Sequence, residues 1–377
     1  MRAHVGLNLV YLVPGETGGM ETYARELVEA LVAVAPELRL TAFVNREAAQ
    51  AGGGPWGELV PAVTVPVLAR NRLQWVRGEQ HLLPRLATQA GVALVHSLGS
   101  TGPGWGRFRR VSTIHDLHYR TVPQAHFGVR GLGMRVLVPL SARRAHRVIA
   151  DSQAMREELL TLLRLPAHKV DVVPLGLGGR RRDEPMPAAE VRERLHVDPD
   201  ERLLLTVSAK RPHKNLTTLL DAMALLAPEE RPVLVLPGYP TEHEAELRER
   251  AATLGVSGQT RFLGWVGGSE LEGLYASASC FVFPSLSEGF GLPVLEAMSR
   301  GVPVACSGVG AVAEVVGEAA LRFDPRSPRE IADAVRRLVG DPAEAERLRA
   351  AGRERAARFT WEETARGTLA TYRRVLG

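Results

Sequence analysis

Two glutamates, Glu288 and Glu296, lie close together in the segment PSLSEGFGLPVLEAMSRG, which covers residues 284–301. Paired carboxylates can act on a sugar as general acid and as nucleophile or base. They can also bind two parts of one ligand, with one at a reacting sugar and the other at a pair of hydroxyls. A helix-capping role would explain Glu296 but not the Gly-Phe-Gly between the two acids, which leaves backbone open to a ligand.

The elements predicted around this pair place it at the start of a helix. The apolar segment Ser279–Phe283, rich in strand formers, precedes the glycines. Pro293 suits the first position of a helix, and Gly301 suits the position just past its end. A strand, a glycine loop and a helix N-terminus in this order direct free backbone N–H groups at one point, which favours an anion such as phosphate.

Two segments in the first half of the chain also predict ligand contacts. The loop 14–21 carries Gly18 and Gly19 just before a helix, and either close approach of a diphosphate or a simple tight turn explains it. His115 follows the predicted strand Val111–Ile114, at the edge where parallel sheets bind ligands. A structural histidine and a ligand contact are both open there.

A cluster of cations opens the second half of the chain. The segment 208–215, SAKRPHKN, places Lys210, Arg211 and Lys214 between a predicted strand and a helix. Three positive charges at such a junction favour neutralisation of a diphosphate. A solvated basic loop is the alternative.

Apolar runs rich in strand formers alternate with longer amphipathic patterns along the chain, which indicates βαβ units and parallel sheets. The alternation stops in the segment 176–187, with three glycines, an Arg-Arg-Arg run and two prolines, and then restarts. We predict an α/β protein with two doubly wound, Rossmann-like domains, 1–178 and 179–360, facing one another across a ligand cleft. The last predicted helix, within 361–377, is expected to join the first domain.

The net charge of +5 is concentrated in the segment Arg70–Arg147, which holds 13 arginines and only Glu79 and Asp116 as acidic residues. This segment predicts peripheral contact with an anionic membrane, and a solvated basic face is the alternative. The predicted helix Gly131–Ala145 would be the anchor, because its apolar stretch Val136–Leu140 is flanked by arginines. We therefore expect a cytoplasmic protein that contacts the inner face of the cell membrane.

Composition argues against other classes of protein. Aromatic residues make up 5% of the chain and no nucleic-acid motif is visible, so no nucleic-acid partner is expected. No run approaches the roughly 20 apolar residues that span a bilayer. Cys280 and Cys306 lie in apolar runs, which favours buried thiols. No Cys/His cluster has metal-ligand spacing, so no metal cofactor is expected.

The segment 284–301, with Lys214-Asn215 and Gly18-Gly19, resembles the retaining, nucleotide-sugar-dependent glycosyltransferases of family four, which have the GT-B fold. The resemblance covers the whole chain, with further matches at Asp151-Ser152, in VVPLG at 172–176 and in FTWE at 359–362. It implies a first domain for the acceptor and a second for the nucleotide-sugar donor, with the donor site in the cleft between them.

The resemblance also implies roles for single residues. Glu288 and His115 would lie at the donor sugar, and Glu296 would bind the ribose hydroxyls. The other donor-binding positions that it implies are Gly18, Gly19, Arg211, Lys214, Gly289, Phe290, Gly291 and Leu292. One position departs from the pattern, because Ala209 stands where many relatives carry an arginine. Either Lys210 or Arg211 would then contact the diphosphate in its place.

The resemblance therefore implies a retaining transferase for a hexose, with mannose from GDP-mannose as the first expectation and UDP-sugars next. Because no metal-ligand cluster is visible, we expect it to be metal-independent. The acceptor would be a hydroxyl of a glycan, a lipid-linked sugar or a small molecule. Two alternatives stay open: a GT-B-like sugar-nucleotide epimerase and a non-catalytic sugar-nucleotide binding module.

Overall fold

A computed structural model describes residues 3–51, 54, 56–122, 128–177 and 183–377, without the side chains of 128–132. The chain divides into two compact units, called the first unit (Met1–Gly179 with Phe359–Gly377) and the second unit (Arg180–Arg358). The arginine run expected as a linker, 180–182, lies outside the described residues, as does the side chain of Arg130.

The first unit contains a seven-stranded parallel sheet with the strand order β3-β2-β1-β4-β5-β6-β7. Its strands are β1 His4–Leu9, β2 Arg39–Val44, β3 Ala62–Thr64, β4 Leu94–Ser97, β5 Arg109–Ile114, β6 Arg147–Ala150 and β7 Val170–Val172. Its first seven helices are α1 Gly19–Val34, α2 Arg46–Ala51, α3 Arg72–Arg77, α4 Leu83–Gln89, α5 His118–Thr121, α6 Gly128–Arg144 and α7 Gln153–Leu162. A π-helical turn, Gly78–Leu82, joins α3 to α4.

The second unit contains a six-stranded parallel sheet with the strand order β10-β9-β8-β11-β12-β13. Its strands are β8 Leu203–Leu205, β9 Val233–Leu236, β10 Thr260–Phe262, β11 Cys280–Phe283, β12 Val304–Ser307 and β13 Leu321–Phe323. Its helices are α8 Ala188–Leu195, α9 Leu216–Leu225, α10 His243–Thr253, α11 Gly268–Ser277, α12 Leu292–Ser299, α13 Gly310–Val316, α14 Pro328–Gly340 and α15 Pro342–Ala356.

The chain order reverses once in each sheet, between β1 and β4 in the first unit and between β8 and β11 in the second. Loops that leave the carboxyl ends of such strand pairs diverge to opposite sides and leave a crevice, where doubly wound folds bind ligands. The predicted cation cluster follows β8 and the predicted glutamate loop follows β11. Both therefore lie at the crevice of the second sheet.

The last helix, α16 Trp361–Leu376, belongs to the first unit. Thr360 caps its N-terminus by accepting a hydrogen bond from the backbone N–H of Glu363. The Thr364 hydroxyl donates to the carbonyl of Pro174 at 2.8 Å, and the hydroxyl of Tyr372 lies 2.7 Å from Nδ1 of the buried His96. These contacts fix the C-terminal helix to the carboxyl side of β7 and to β4.

The predicted alternation of strands and helices is confirmed, and the predicted strand ends differ from the observed ones by at most two residues. Sequence patterns missed the edge strand β3 and the short helices α2, α5, α8 and α13, which have three to eight residues and give few positions from which to read a period. Gln74–Gln89, predicted as one helix, contains the π turn at its centre. Cys280 and Cys306 are buried free thiols on neighbouring strands.

Candidate active site

The structure brings Lys214 and Glu288 together at the crevice of the second unit. Lys214 Nζ donates a hydrogen bond of 2.6 Å to Glu288 Oε1, and the two side chains are 16% and 12% exposed. Ser285 Oγ donates to the same oxygen at 2.5 Å. The ammonium also lies 5.3 Å from the centre of the Phe283 ring. A largely buried ion pair thus links the loops that follow β8 and β11.

Backbone contacts hold these two loops in register. The N–H of Leu286 donates to the carbonyl of His213 at 2.8 Å. Asn215, in the left-handed conformation at φ 58°, donates through Nδ2 to the carbonyls of Pro284 and Pro325 at 3.0 and 2.7 Å. An asparagine tolerates this conformation better than most residues. The two residues of the Lys-Asn pair therefore have different roles. Asn215 joins the two loops by hydrogen bonds, and Lys214 contacts the carboxylate of Glu288.

Glu288 stays ionised in spite of its burial. Burial by itself would raise the pKa of this carboxyl, but the charges of Lys214 and His213 and the hydrogen bonds from Lys214 and Ser285 lower it below its usual value. The site therefore presents a carboxylate that is fixed in place, charged and saturated with donors on one oxygen.

The glycine loop leads into α12 one residue earlier than Pro293, the first helical position that the sequence predicted. Gly291 is the N-cap residue with φ 109°, a conformation that other residues rarely adopt. Leu292 is the first helical residue and Pro293 the second. Proline lacks an N–H, but the first N–H groups of a helix have no partner within the helix, so this position loses no helical hydrogen bond. Gly301, at φ 71°, ends the helix as predicted. The N-terminus of α12 therefore lies four residues after Glu288, at the end of the loop that follows β11.

Glu296 lies one residue beyond the first turn of α12, and not within that turn as the sequence predicted. Its Oε2 accepts a 3.1 Å hydrogen bond from the hydroxyl of Tyr275, which is buried on α11. Arg300 packs over the Tyr275 ring at 4.5 Å and forms an ion pair with Glu272. These contacts fix one oxygen of the partly exposed Glu296 carboxylate.

The two neighbouring cations have different environments. Lys210 is fully buried, and its Nζ donates to the carbonyl of Gly238 at 2.7 Å and to that of Leu263. It also lies 3.6 Å from Glu244, and burial lowers its pKa. The expectation that Lys210 could contact a diphosphate is therefore wrong, because its ammonium is enclosed by protein carbonyls. Arg211, by contrast, is exposed.

Gly18 and Gly19 lie in the first unit, at the start of α1. Gly18 is the N-cap residue with φ 60° and ψ −134°, and a Cβ built at either glycine would meet nothing within 4 Å. Thr17 closes the preceding loop, because its hydroxyl contacts both the N–H and the carbonyl of Val13. The open space beside Gly18 and Gly19 leaves their backbone accessible to a ligand.

His115 follows β5 and is 11% exposed. Its Nδ1 lies 2.7 Å from Asp151 Oδ2, its Nε2 lies 2.8 Å from the carbonyl oxygen of Leu98, and the Tyr23 ring packs edge-on at 4.6 Å. Both ring nitrogens thus have partners within the first unit. Tyr23 lies on α1, whose first residue is Gly19. The Tyr23 ring therefore connects the helix that follows the glycine loop to His115.

The proton on His115 is held by its carboxylate neighbour. Burial alone would lower the pKa of this imidazole, but the charge of Asp151 and the hydrogen bond to it raise the pKa above its usual value. Nε2 must donate to the Leu98 carbonyl, so the imidazole is a cation when Asp151 is ionised. In this arrangement His115 offers positive charge rather than a free ring nitrogen.

Three contacting residues were not among the predicted site residues. Ser285 and Asp151 each follow the end of a parallel strand, the same positional signal that identified His115. Tyr275 lies on a helix with no local motif, so only the packing of α11 against α12 reveals it. Within the described residues, no group of His, Cys, Asp or Glu side chains could hold a metal ion.

Two protein-family models match this chain in succession. The model described as "Glycosyltransferase Family 4" matches residues 17–177, and the model "Glycosyl transferases group 1" matches residues 188–355. The O-antigen chain mannosyltransferase B of Escherichia coli is 33% identical over 271 residues, which is 70% of each chain. This chain is a family 4 glycosyltransferase. A D-inositol 3-phosphate glycosyltransferase of Frankia alni is 31% identical to it over 96% of both chains.

Solved structures place this glycosyltransferase in the GT-B fold. Sucrose-phosphate synthase from Thermosynechococcus elongatus superimposes with a TM-score of 0.78 at 23% identity, covering 99% of both chains. Anabaena HepE in complex with UDP-glucose superimposes with a TM-score of 0.75 at 20% identity, covering 98% of this chain and 99% of that one. The family matches support a nucleotide sugar as the donor of the glycosyltransferase.

Proposed function

We propose that this glycosyltransferase transfers a hexose from a nucleoside diphosphate sugar to an acceptor hydroxyl, with retained anomeric configuration and without a metal ion. The observation that carries the proposal is the Lys214–Glu288 pair on the loops that precede α9 and α12. The cation and the positive end of the α12 dipole can stabilise the departing diphosphate, and the carboxylate can contact the sugar. The exposed Arg211 adds a second positive charge.

Retention without a protein nucleophile fits the state of Glu288. A carboxylate that accepts two hydrogen bonds and keeps a low pKa is a weak nucleophile. We infer that the acceptor oxygen attacks the anomeric carbon on the face from which the diphosphate leaves. The bond to the diphosphate oxygen breaks, the bond to the acceptor oxygen forms, and the acceptor proton passes to the departing phosphate.

GDP-mannose is the donor that we propose first, because the Escherichia coli relative is a mannosyltransferase. UDP-sugars are the next choice. Tyr239 and Trp265, in the loops after β9 and β10, stack with ring centres 4.7 Å apart. Trp265 is 70% exposed, and a flat aromatic surface of this kind at the carboxyl edge of the sheet suits a nucleobase.

The acceptor can be a glycan, a lipid-linked sugar or a small molecule. The names of the two relatives favour the first and the last of these, respectively. In this proposal the second unit, with Lys214 and Glu288, binds the donor. The first unit, with Gly18 and His115, binds the acceptor.

Contact with an anionic membrane is a further part of the proposal, and it rests on charge alone. None of the described helices combines the length and apolar character that crossing a bilayer requires. The expectation that the apolar stretch of α6 forms an anchor is wrong, because Leu137, Val138 and Pro139 are buried and Val138 packs in the core. Val136 is the one exposed residue of the predicted stretch Val136–Leu140, and Leu140 is half-buried, so the arginines must supply the attraction.

A donor panel tests the proposed reaction. Purified protein is incubated with GDP-mannose, UDP-glucose and UDP-galactose, each with and without a hydroxyl acceptor, and with or without EDTA. We expect acceptor-dependent release of GDP, unaffected by EDTA, and a product with the anomeric configuration of the donor by NMR. Epimerisation of a donor without acceptor would identify an epimerase. Donor binding without transfer or hydrolysis would identify a binding module, and inversion would exclude the same-face mechanism.

A further inference from the structure

A basic pocket lies at the edge of the first sheet opposite to His115. It has a volume of about 500 Å³, and its polar lining consists of Arg107, Arg109, Arg110 and His146. These residues stand just before or at the start of β5 and β6, whereas His115 follows the end of β5. Since β5 has six residues at about 3.3 Å each, about 20 Å of strand separates this pocket from the histidine.

The pocket is organised before any ligand binds. The guanidinium of Arg110 donates to the carbonyls of Arg144 and Gly106 at 3.0 and 3.3 Å, which fixes its plane. His146 Nδ1 accepts the backbone N–H of Arg110 at 3.0 Å, so its proton must be on Nε2. That tautomer makes His146 a hydrogen-bond donor at the pocket. Arg107 and Arg109 are exposed at its rim.

The positive charges of this pocket act on one another. Burial and the charges of Arg144 and Arg109 lower the pKa of Arg110, and burial and the charges of Arg110 and Arg109 lower that of His146. No carboxylate in the described part of the chain forms an ion pair with the four lining residues. A cluster that is concave, basic and unneutralised attracts an anion.

We propose that this pocket binds a phosphate group, at a site distinct from the one that binds the nucleotide sugar. Forked guanidinium groups match the oxygens of phosphate, and a neutral imidazole N–H adds a donor that an anionic oxygen can accept. The lining also includes Phe108 and Leu376, which allows an apolar part of the ligand to contact the wall. A soluble phosphate ester and a phospholipid head group share this chemistry. The proposal does not depend on the identity of the sugar that is transferred.

Two double variants with equal loss of charge test the pocket. Arg107→Gln/Arg109→Gln removes two rim cations and leaves the hydrogen-bonded Arg110 and His146 in place. Arg77→Gln/Arg85→Gln removes two exposed arginines from the same basic segment, but neither lines the pocket. Both variants are first compared with the wild type by circular dichroism and thermal unfolding. Binding of pyrophosphate and of glycerol 3-phosphate is then measured by calorimetry, in the presence of saturating GDP to fill the donor site.

We expect at least tenfold weaker phosphate binding in Arg107→Gln/Arg109→Gln and unchanged binding in Arg77→Gln/Arg85→Gln. Vesicles of phosphatidylglycerol and of phosphatidylcholine distinguish the sources. Pocket-dependent binding to the anionic vesicles without binding of soluble phosphates identifies a lipid head group, which also supports the site. Equal losses of binding in the two variants would show that overall charge, and not the pocket, attracts the phosphate, and would overturn the proposal. The absence of binding to every probe would overturn it as well. Sugar transfer, assayed in parallel, should be equal in both variants.

Discussion

Lys214 Nζ and Glu288 Oε1 lie 2.6 Å apart, although 74 residues separate them in the chain. The lysine leaves the sheet after β8 and the glutamate after β11, the two strands between which the strand order of the second unit reverses. Without a ligand, each neutralises the other's charge. A bound diphosphate would compete for the lysine, so we expect binding of the donor to free the carboxylate for contact with the sugar.

Replacing either member of this pair should abolish most turnover. We expect Lys214→Ala and Glu288→Ala each to lower kcat by roughly 100- to 1000-fold, the size of effect seen when one preorganised charge-stabilising group is removed. Because the two act as a unit, the double variant should lose much less than the product of the single losses. Steady-state kinetics on all four proteins measure the coupling.

Ser285→Ala is the matched milder change, because it removes one donor to Glu288 and leaves the ion pair intact. We expect roughly a tenfold loss of kcat there. Circular dichroism should show folded protein in every variant. Near-wild-type rates in Lys214→Ala or Glu288→Ala would remove these residues from the site.

Arg211 and Lys210 should separate binding from stability. Arg211→Ala is expected to raise the KM for the nucleotide sugar, by roughly tenfold for the loss of one charge-assisted contact, with little change in thermal stability. Lys210→Met should instead lower stability, because three acceptors, including two main-chain carbonyls, would lose a buried donor. Thermal unfolding and the KM are measured for both. A raised KM with full stability in Lys210→Met would contradict the assignment.

Sequence patterns predicted the parts of the site that local chemistry marks. Gly291, Pro293 and Gly301 have positions that backbone sterics dictate, so the start and the end of α12 could be predicted. The contact between Lys214 and Glu288 could only be expected from strand order. The different environments of Lys210 and Arg211 could not be predicted, since adjacent positions in a loop carry no periodic signal for burial.

The same limit applies to the helix that was expected to be a membrane anchor. An apolar stretch beside arginines has the same composition whether it meets lipid or the core of its own domain. Only the packing of Val138 against the first sheet decides between the two. Tyr275 was missed for a related reason: its side chain comes from α11, another element, and no local motif marks it.

Glu79 should make stability fall as the pH rises. It is fully buried on the π turn, its Oε1 accepts hydrogen bonds of 3.0 Å from Asn8 and Thr101, and burial raises its pKa to about 7. The folded protein then binds a proton that the unfolded chain releases near pH 4.5, so the free energy of unfolding falls between about pH 4.5 and 7. The shift corresponds to about 3 kcal/mol.

Glu79→Gln tests this, because the amide reproduces the shape and the hydrogen bonds of the protonated acid. We expect the variant to be more stable than the wild type at pH 8 and to lose that advantage at pH 5. Urea unfolding at the two pH values measures the difference. An equal change in both proteins would show that Glu79 does not carry this pH dependence.

Asp151 should control the charge of His115, and therefore the pH dependence of both stability and turnover. The raised pKa of His115 means that the folded protein holds a proton on the pair above the pH at which an unfolded histidine loses it. The contribution to stability is complete below about pH 6.5 and is lost as the pH rises through the folded pKa. In Asp151→Asn the counter-charge is gone, so burial should bring the His115 pKa below its usual value. The unfolded chain then binds the proton more tightly, so this contribution to stability should reverse and rise with pH up to about 6.5. Imidazole NMR titration measures the pKa directly.

Asp116→Asn is the control for this change, because Asp116 is 40% exposed and acts on His115 through charge alone, as the weakest of the causes. We expect a small downward shift there, and a much larger one in Asp151→Asn. The turnover of Asp151→Asn should fall most between the usual histidine pKa and the raised pKa of His115, where the wild-type imidazole is charged and that of the variant is not. Equal shifts in the two variants would show that the 2.7 Å contact with Asp151 does not hold the proton. An unchanged pH profile of kcat despite a lowered pKa would instead show that the charge of His115 is not used in catalysis.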